Sequence, residues 1–135
     1  MSNILNIAVT GLNDAITRIA NATSNIVNAS STGKLPSGAS PYTGFHPQDV
    51  VTLSIAGGGG GLGVTDIKQP RNPAFVTAFD PTSKDANADG LIGAPNVDLN
   101  AELIASKEAQ VSYSAGAKLI KVAQEMDKTL LDALS

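Results

Sequence analysis

Asp85, Asn87 and Asp89 alternate along DANADGLIGAPN, residues 85–96, with Gly90 next and Ile92 two further on. Oxygen ligands at every second position, then a glycine and an apolar residue, are how a calcium-binding EF-hand loop begins. A working loop also needs a bidentate carboxylate at its twelfth position. Asn96 stands there, and Asp98 comes two residues too late. Helices should flank such a loop, yet PTSK precedes it and APN ends it. The stretch reads as a turn in which Asp and Asn side chains bond nearby backbone amides; a weak, incidental cation site is the alternative.

Other reactive groups are sparse. His46 is the only histidine, and its setting, GFHPQDVV, is a turn leading into a strand. A catalytic triad would have to form around it, and a hydrolase would need Asp80, Asp85 and Asp89 to meet it in one cleft. Asp49 and Asp66 show no pairing that sequence alone reveals. Gly57 to Gly61 invite a phosphate-loop reading, but no Gly-Lys-Ser/Thr follows and no helix opens there. Cysteine is absent, which excludes a disulfide scaffold and a thiolate site. The expectation is no catalytic residue, no metal and no cofactor.

At 135 residues, the chain fits one compact domain or one extended two-part body. Apolar residues make up 42% and aromatic ones only 4%. That balance of Ala, Val, Ile and Leu suits helix seams better than a large globular core. Nine basic against twelve acidic side chains leave a net charge of −3, with no basic cluster, so nucleic acid is not an expected partner. No stretch approaches the roughly 20 apolar residues of a membrane span. MSNILNIAVTG has no Lys or Arg before its apolar residues and does not read as a cleavable signal. A soluble chain is expected.

The elements that would position these residues fall into three parts. Near the N-terminus Leu5, Ala8, Leu12, Ala15, Ile19, Ala22, Ile26 and Ala29 recur at steps of three and four, the seam of a coiled-coil-like helix. Ser2 or Asn3 could cap it, and Gly33 lies where the pattern stops. A helix from Ile4 to Asn28 would be about 37 Å long. Toward the C-terminus Ala105, Ala109, Ser112, Gly116, Leu119, Ala123, Met126, Leu130 and Ala133 repeat the pattern. Leu103, Tyr113, Ile120, Leu131 and Leu134 widen the apolar surface, so this helix should touch more than one neighbour. Running from Leu99 to Leu134 it would be about 54 Å long.

The middle holds every proline and nearly all the glycine. VVTLSIA, GVTDIK and PAFVTAF read as three short strands, with Gly57 to Gly61 as a flexible joint. The expected fold is mainly α with a small β part. The long N- and C-terminal helices (residues 1–32 and 97–135) would pair as a coiled-coil-like bundle. A short, hairpin-containing β-rich middle (33–96) would lie between them.

The segment GLGVTDIKQPRNPAFVTAFDPTSKDANADGLIGAPNVDLNAELIAS resembles the flagellar rod and hook protein family. Matching residues are Gly63-Val64, Ile67, Asp80-Pro81, Ala88-Asp89, Gly90, Pro95-Asn96-Val97, Glu102-Leu103 and Tyr113, continuing at Met126, Lys128, Thr129 and Leu130. SNIVNASSTG is similar to the family signature Asn-Leu-Ala-Asn-Ala-x-Thr-x-Gly at Asn25, Ile26, Asn28, Ala29 and Gly33. Ser31, Lys34, Ile92, Val111 and Gly116 depart from the usual residues.

The resemblance implies a structural, non-enzymatic subunit of the bacterial flagellar basal body. It would be exported by the flagellar type III apparatus without a cleaved signal and assemble helically into the proximal, periplasmic rod around the export channel. Implied partners are copies of itself, other rod proteins, the junction protein at the rod base and MS ring, the neighbouring distal rod and the surrounding rings. The residues implied for assembly are Asn25, Asn28, Gly33, Pro95, Asn96, Val97, Tyr113 and Gly116. DANADGLIGAPN becomes a connector into the C-terminal helix.

Overall fold

The computed structural model describes residues 2–134 except Gly58 and Gly59. In chain order the elements are helix α1 (Ser2–Val27), strands β1 (Gln48–Gly57), β2 (Gly60–Pro70), β3 (Phe75–Phe79) and β4 (Leu91–Pro95), and helix α2 (Leu99–Leu134). Both terminal periodicities become helices, α2 with the bounds that its apolar spacing predicts. Asp98 starts α2: its Oδ1 accepts from the amides of Asn100 (2.9 Å) and Ala101 (3.2 Å), satisfying donors that the first turn leaves free. Asn28 closes α1, its side-chain amide donating back to the Ser24 carbonyl at 2.9 Å.

The middle corrects the expected fold class. The chain is not mainly α with a small β part: 48% is helical and 24% is strand, in two small antiparallel sheets. β1 pairs with β2 and β3 with β4. The strand missing from the sequence reading is β4, LIGAP, in the presumed connector. Gly93 and Pro95 hide its strand character, and only its pairing, from Phe75 opposite Pro95 to Phe79 opposite Leu91, reveals it. Strands β1 and β2 also run further than their alternation suggests, Gly57 and Gly60 being strand residues. The centre of the expected flexible joint, Gly58 and Gly59, lies outside the described residues.

The chain divides into two compact units, each containing parts of both helices. The first comprises the described part of residues 1–20, 50–67 and 105–135. Here Ala8, Ala15, Ala109 and Ala123 are buried, and Gly116 is half-buried. On each helix these small residues sit seven apart, so they stack along one stripe and let two backbones approach closely. Leu12 packs over Gly116, and Arg18 pairs with Glu108 at 3.7 Å. As numbers rise along α1 they fall along α2, so the two segments run antiparallel.

The second unit comprises residues 21–49 and 68–104. Its core forms around Tyr42, which is 6% exposed and stacks on Phe75 with ring centroids 4.5 Å apart. Gly33 and Gly93 exchange backbone hydrogen bonds of 3.0 and 2.9 Å, tying the loop after α1 to β4. Both positions need glycine: a side chain at 33 would run into the Gly44 backbone, and one at 93 into the Tyr42 ring.

Candidate functional site

The second unit holds a buried polar junction. Asn25, on the last turns of α1, is 1% exposed. Its amide donates to the Gln48 carbonyl (2.9 Å) and to Glu102 Oε1 (3.0 Å), and its Oδ1 accepts the Gln48 backbone amide (3.2 Å). One turn earlier, Asn21 also donates to the Gln48 carbonyl, at 2.7 Å. Spacing of four on α1 aims both amides at the start of β1. Burying such groups is tolerable because each is bonded.

Glu102, in the first turn of α2, is 5% exposed and needs a counter-charge at that burial. Arg71, in the turn after β2, supplies it: Nη2 lies 2.8 Å from Glu102 Oε1 and 2.6 Å from Asp49 Oδ1. Nε also donates to Asp49 Oδ1 at 3.0 Å, and Nη1 to the Asn96 carbonyl at 2.9 Å. The Asp49 bonds chiefly, with Glu102 adding, raise the Arg71 guanidinium above its ordinary range; partial burial pulls the other way. Five segments therefore meet: the end of α1, the start of β1, the turn after β2, the end of β4 and the start of α2. The junction's bonded side chains fix the geometry of these five segments.

The expected assembly residues fall in different places. Asn25 is at the centre of the junction. Asn96 adjoins it through its carbonyl, while its side chain donates to the Pro73 carbonyl at 2.9 Å and its amide to Ala74 at 3.0 Å. Pro95 is buried at the end of β4 and Val97 is half-buried. Asn28 acts locally at the helix end, and Gly33 forms the bridge to Gly93. Tyr113 is 42% exposed and Gly116 lies under Leu12, both in the first unit. Sequence reasoning gave no role to Arg71, Asp49, Asn21 or Gln48. The one available signal was Arg71 itself, a long cation set between Pro70 and Pro73, where a rigid turn can aim it.

The part of DANADGLIGAPN before β4 forms turns whose hub is Asn87. Its Oδ1 accepts from the amides of Asp89 (3.0 Å) and Leu91 (2.9 Å), and Gly90 takes a φ of +73°. Among the described residues no group of three or more His, Cys, Asp or Glu could hold a metal ion. His46 is exposed, its ring 5.2 Å from that of Tyr42.

Large apolar side chains remain uncovered on α2: Val111, Leu119, Val122, Met126, Leu130, Leu131 and Leu134 are each at least 46% exposed. Ile4, Ile7 and Ile16 are exposed on α1 as well. Contiguous exposure on this scale marks surfaces that other molecules cover. Among the described residues no helix is long and apolar enough to cross a membrane.

Residues 88–133 match the family model described as flagellar basal body rod FlgEFG protein C-terminal. No curated protein matches the chain. The matched segment takes in the end of the turn after Asn87, β4 and nearly all of α2. The likeness is to the C-terminal part of structural flagellar basal body rod proteins and extends over less than half of the chain.

Proposed function

We propose that this chain is a structural subunit of the flagellar rod, most closely the proximal rod protein FlgC, assembling helically with its own copies and with neighbouring rod proteins. The observation that carries this reading is the long, apolar, uncovered α2 within the segment that matches the rod family. A stripe of Leu, Val and Met exposed along a helix gains its burial free energy only when other subunits cover it. The buried junction around Asn25 and Glu102 supports the same reading, because it orients the start of α2 against the loops. Assignment to the proximal rod rests on the Asn-x-x-Asn-Ala signature at Asn25 to Ala29 together with Pro95-Asn96-Val97. Export through the flagellar type III apparatus and a periplasmic position around the export channel follow from the same assignment.

A second reading within the family has support of its own. The matching model is named for other rod and hook members, so a neighbouring rod protein would satisfy it equally. The test is cryo-electron microscopy of basal bodies purified from cells with and without this chain. The expected result is a rod missing its proximal segment in the deletion, restored by the wild-type chain. Intact rods without the chain would refute the structural role. Loss of only a distal segment would reassign the chain to that neighbour.

A further inference from the structure

In the first unit β2 brings Asp66 to Asp14 on α1. The hydroxyl of Thr52, on β1, donates to Asp14 Oδ1 at 2.5 Å. Asp66 Oδ1 is buried with no hydrogen-bond partner. A buried carboxylate oxygen that nothing donates to is costly; a carboxylic acid donating to a neighbouring carboxylate removes that cost.

Among the described residues, no basic side chain is among the groups that act on Asp66. Arg18, the only basic residue in α1, is engaged with Glu108, and β1 contains none. Lys68, two positions along β2, is exposed. Thr17 and Thr52 add hydroxyls beside the acids. Burial first, then hydrogen bonding and repulsion from Asp14, raise Asp66 above the ordinary carboxylate range, while the two threonines pull it down.

Apolar burial does little to hold this ribbon. Thr52 points at the helix, so by the pleat Val51, Leu53 and Ile55 point away, and all three are exposed. Polar contacts do reach from the ribbon to the helix: the Thr52 bond, and the Val64 amide donating to Thr10 Oγ1 at 3.2 Å. We propose that Asp14 and Asp66 share one proton, and that this acid–carboxylate hydrogen bond is a pH-sensitive latch fastening the β1–β2 ribbon to α1.

The direction follows from proton linkage. Asp66 is raised when docked and ordinary when released, so the docked state binds more protons. Docking is then firmest in acid and weakens as pH rises from the free carboxylate range through the raised value.

The test is amide hydrogen exchange at Val64 in the full chain, corrected for intrinsic exchange, from about pH 3 to about pH 7. Wild-type protection should fall from the free carboxylate range to the raised value, by one decade for each pH unit that separates the two, and level off above it. Asp66→Asn donates to Asp14 at every pH and should keep the acid-level protection throughout. Asp14→Asn, donating the other way, should do the same. A flat wild-type profile overturns the latch, as do variants that track the wild type or a Val64 amide unprotected at every pH.

Discussion

The side-chain amide of Asn25 donates to Glu102 Oε1 at 3.0 Å, joining the end of α1 to the first turn of α2 across 77 positions of chain. Both partners are nearly inaccessible to solvent. Asn25 uses donor and acceptor at once, so neither an acid nor an aliphatic residue can replace it. Asn25→Ala should lower stability by about 1–3 kcal/mol, the usual cost of stranding buried polar groups. Asn25→Asp should cost more, because it sets a carboxylate against Glu102. Urea unfolding followed by far-UV circular dichroism checks the order; an Asp variant as stable as wild type would break the account.

Arg71 has two carboxylate partners of unequal worth. Glu102 is 6% exposed at its side chain and Asp49 is 49% exposed. Removing the solvated partner, Asp49→Asn, should cost less than about 1 kcal/mol. Arg71→Lys loses the fork that reaches Asp49, Glu102 and the Asn96 carbonyl together, and should cost about 1–3 kcal/mol. The same unfolding measurement distinguishes them.

Gly93 faces the Tyr42 ring so closely that an added Cβ would lie 2.5 Å from Cε2. Gly93→Ala should therefore displace Tyr42 from its stack on Phe75 and destabilise the second unit by about 1–3 kcal/mol, as overpacking does. Pairing it with Tyr42→Leu, which withdraws the ring, should recover part of the loss. Additive losses would mean the ring is not the obstacle.

Gly116 is tight but not closed. An added Cβ would sit 3.1 Å from Leu12 Cδ2, the movable end of a flexible side chain. Gly116→Ala gains about 1 kcal/mol of helix propensity, and a small shift of Leu12 offsets part of it. Near-neutral stability is expected. Gly116→Leu should force the helices apart and block incorporation into rods, which co-purification with basal bodies reads directly. A Leu variant that incorporates normally would show that this stripe is not a packing surface.

Asn87, rather than its acidic neighbours, organises the loop before β4. Asn87→Ala removes the bonds to the amides of Asp89 and Leu91, which water can replace at this exposed site, and should cost about 0.5–1.5 kcal/mol. The joint change Asp85→Asn and Asp89→Asn should leave stability and motility near wild type. Calcium-dependent assembly that the double change abolishes would restore the cation-site reading.

The sequence alone determined the two helices. Their apolar spacing is a local property of a 3.6-residue period, legible at Ala8, Ala15 and Ala22 and again at Ala109, Gly116 and Ala123. A resemblance singled out Asn25, Gly33 and Asn96, without giving their partners. The tertiary structure decided β4, whose glycine and proline look like loop until β3 lies beside it. It decided that Arg71 meets Glu102, and that Asp66 meets Asp14 across 52 positions (66 − 14). Such contacts leave no periodic trace, because a buried ion pair or acid pair depends on where chain reversals place two side chains, not on the residues beside either one.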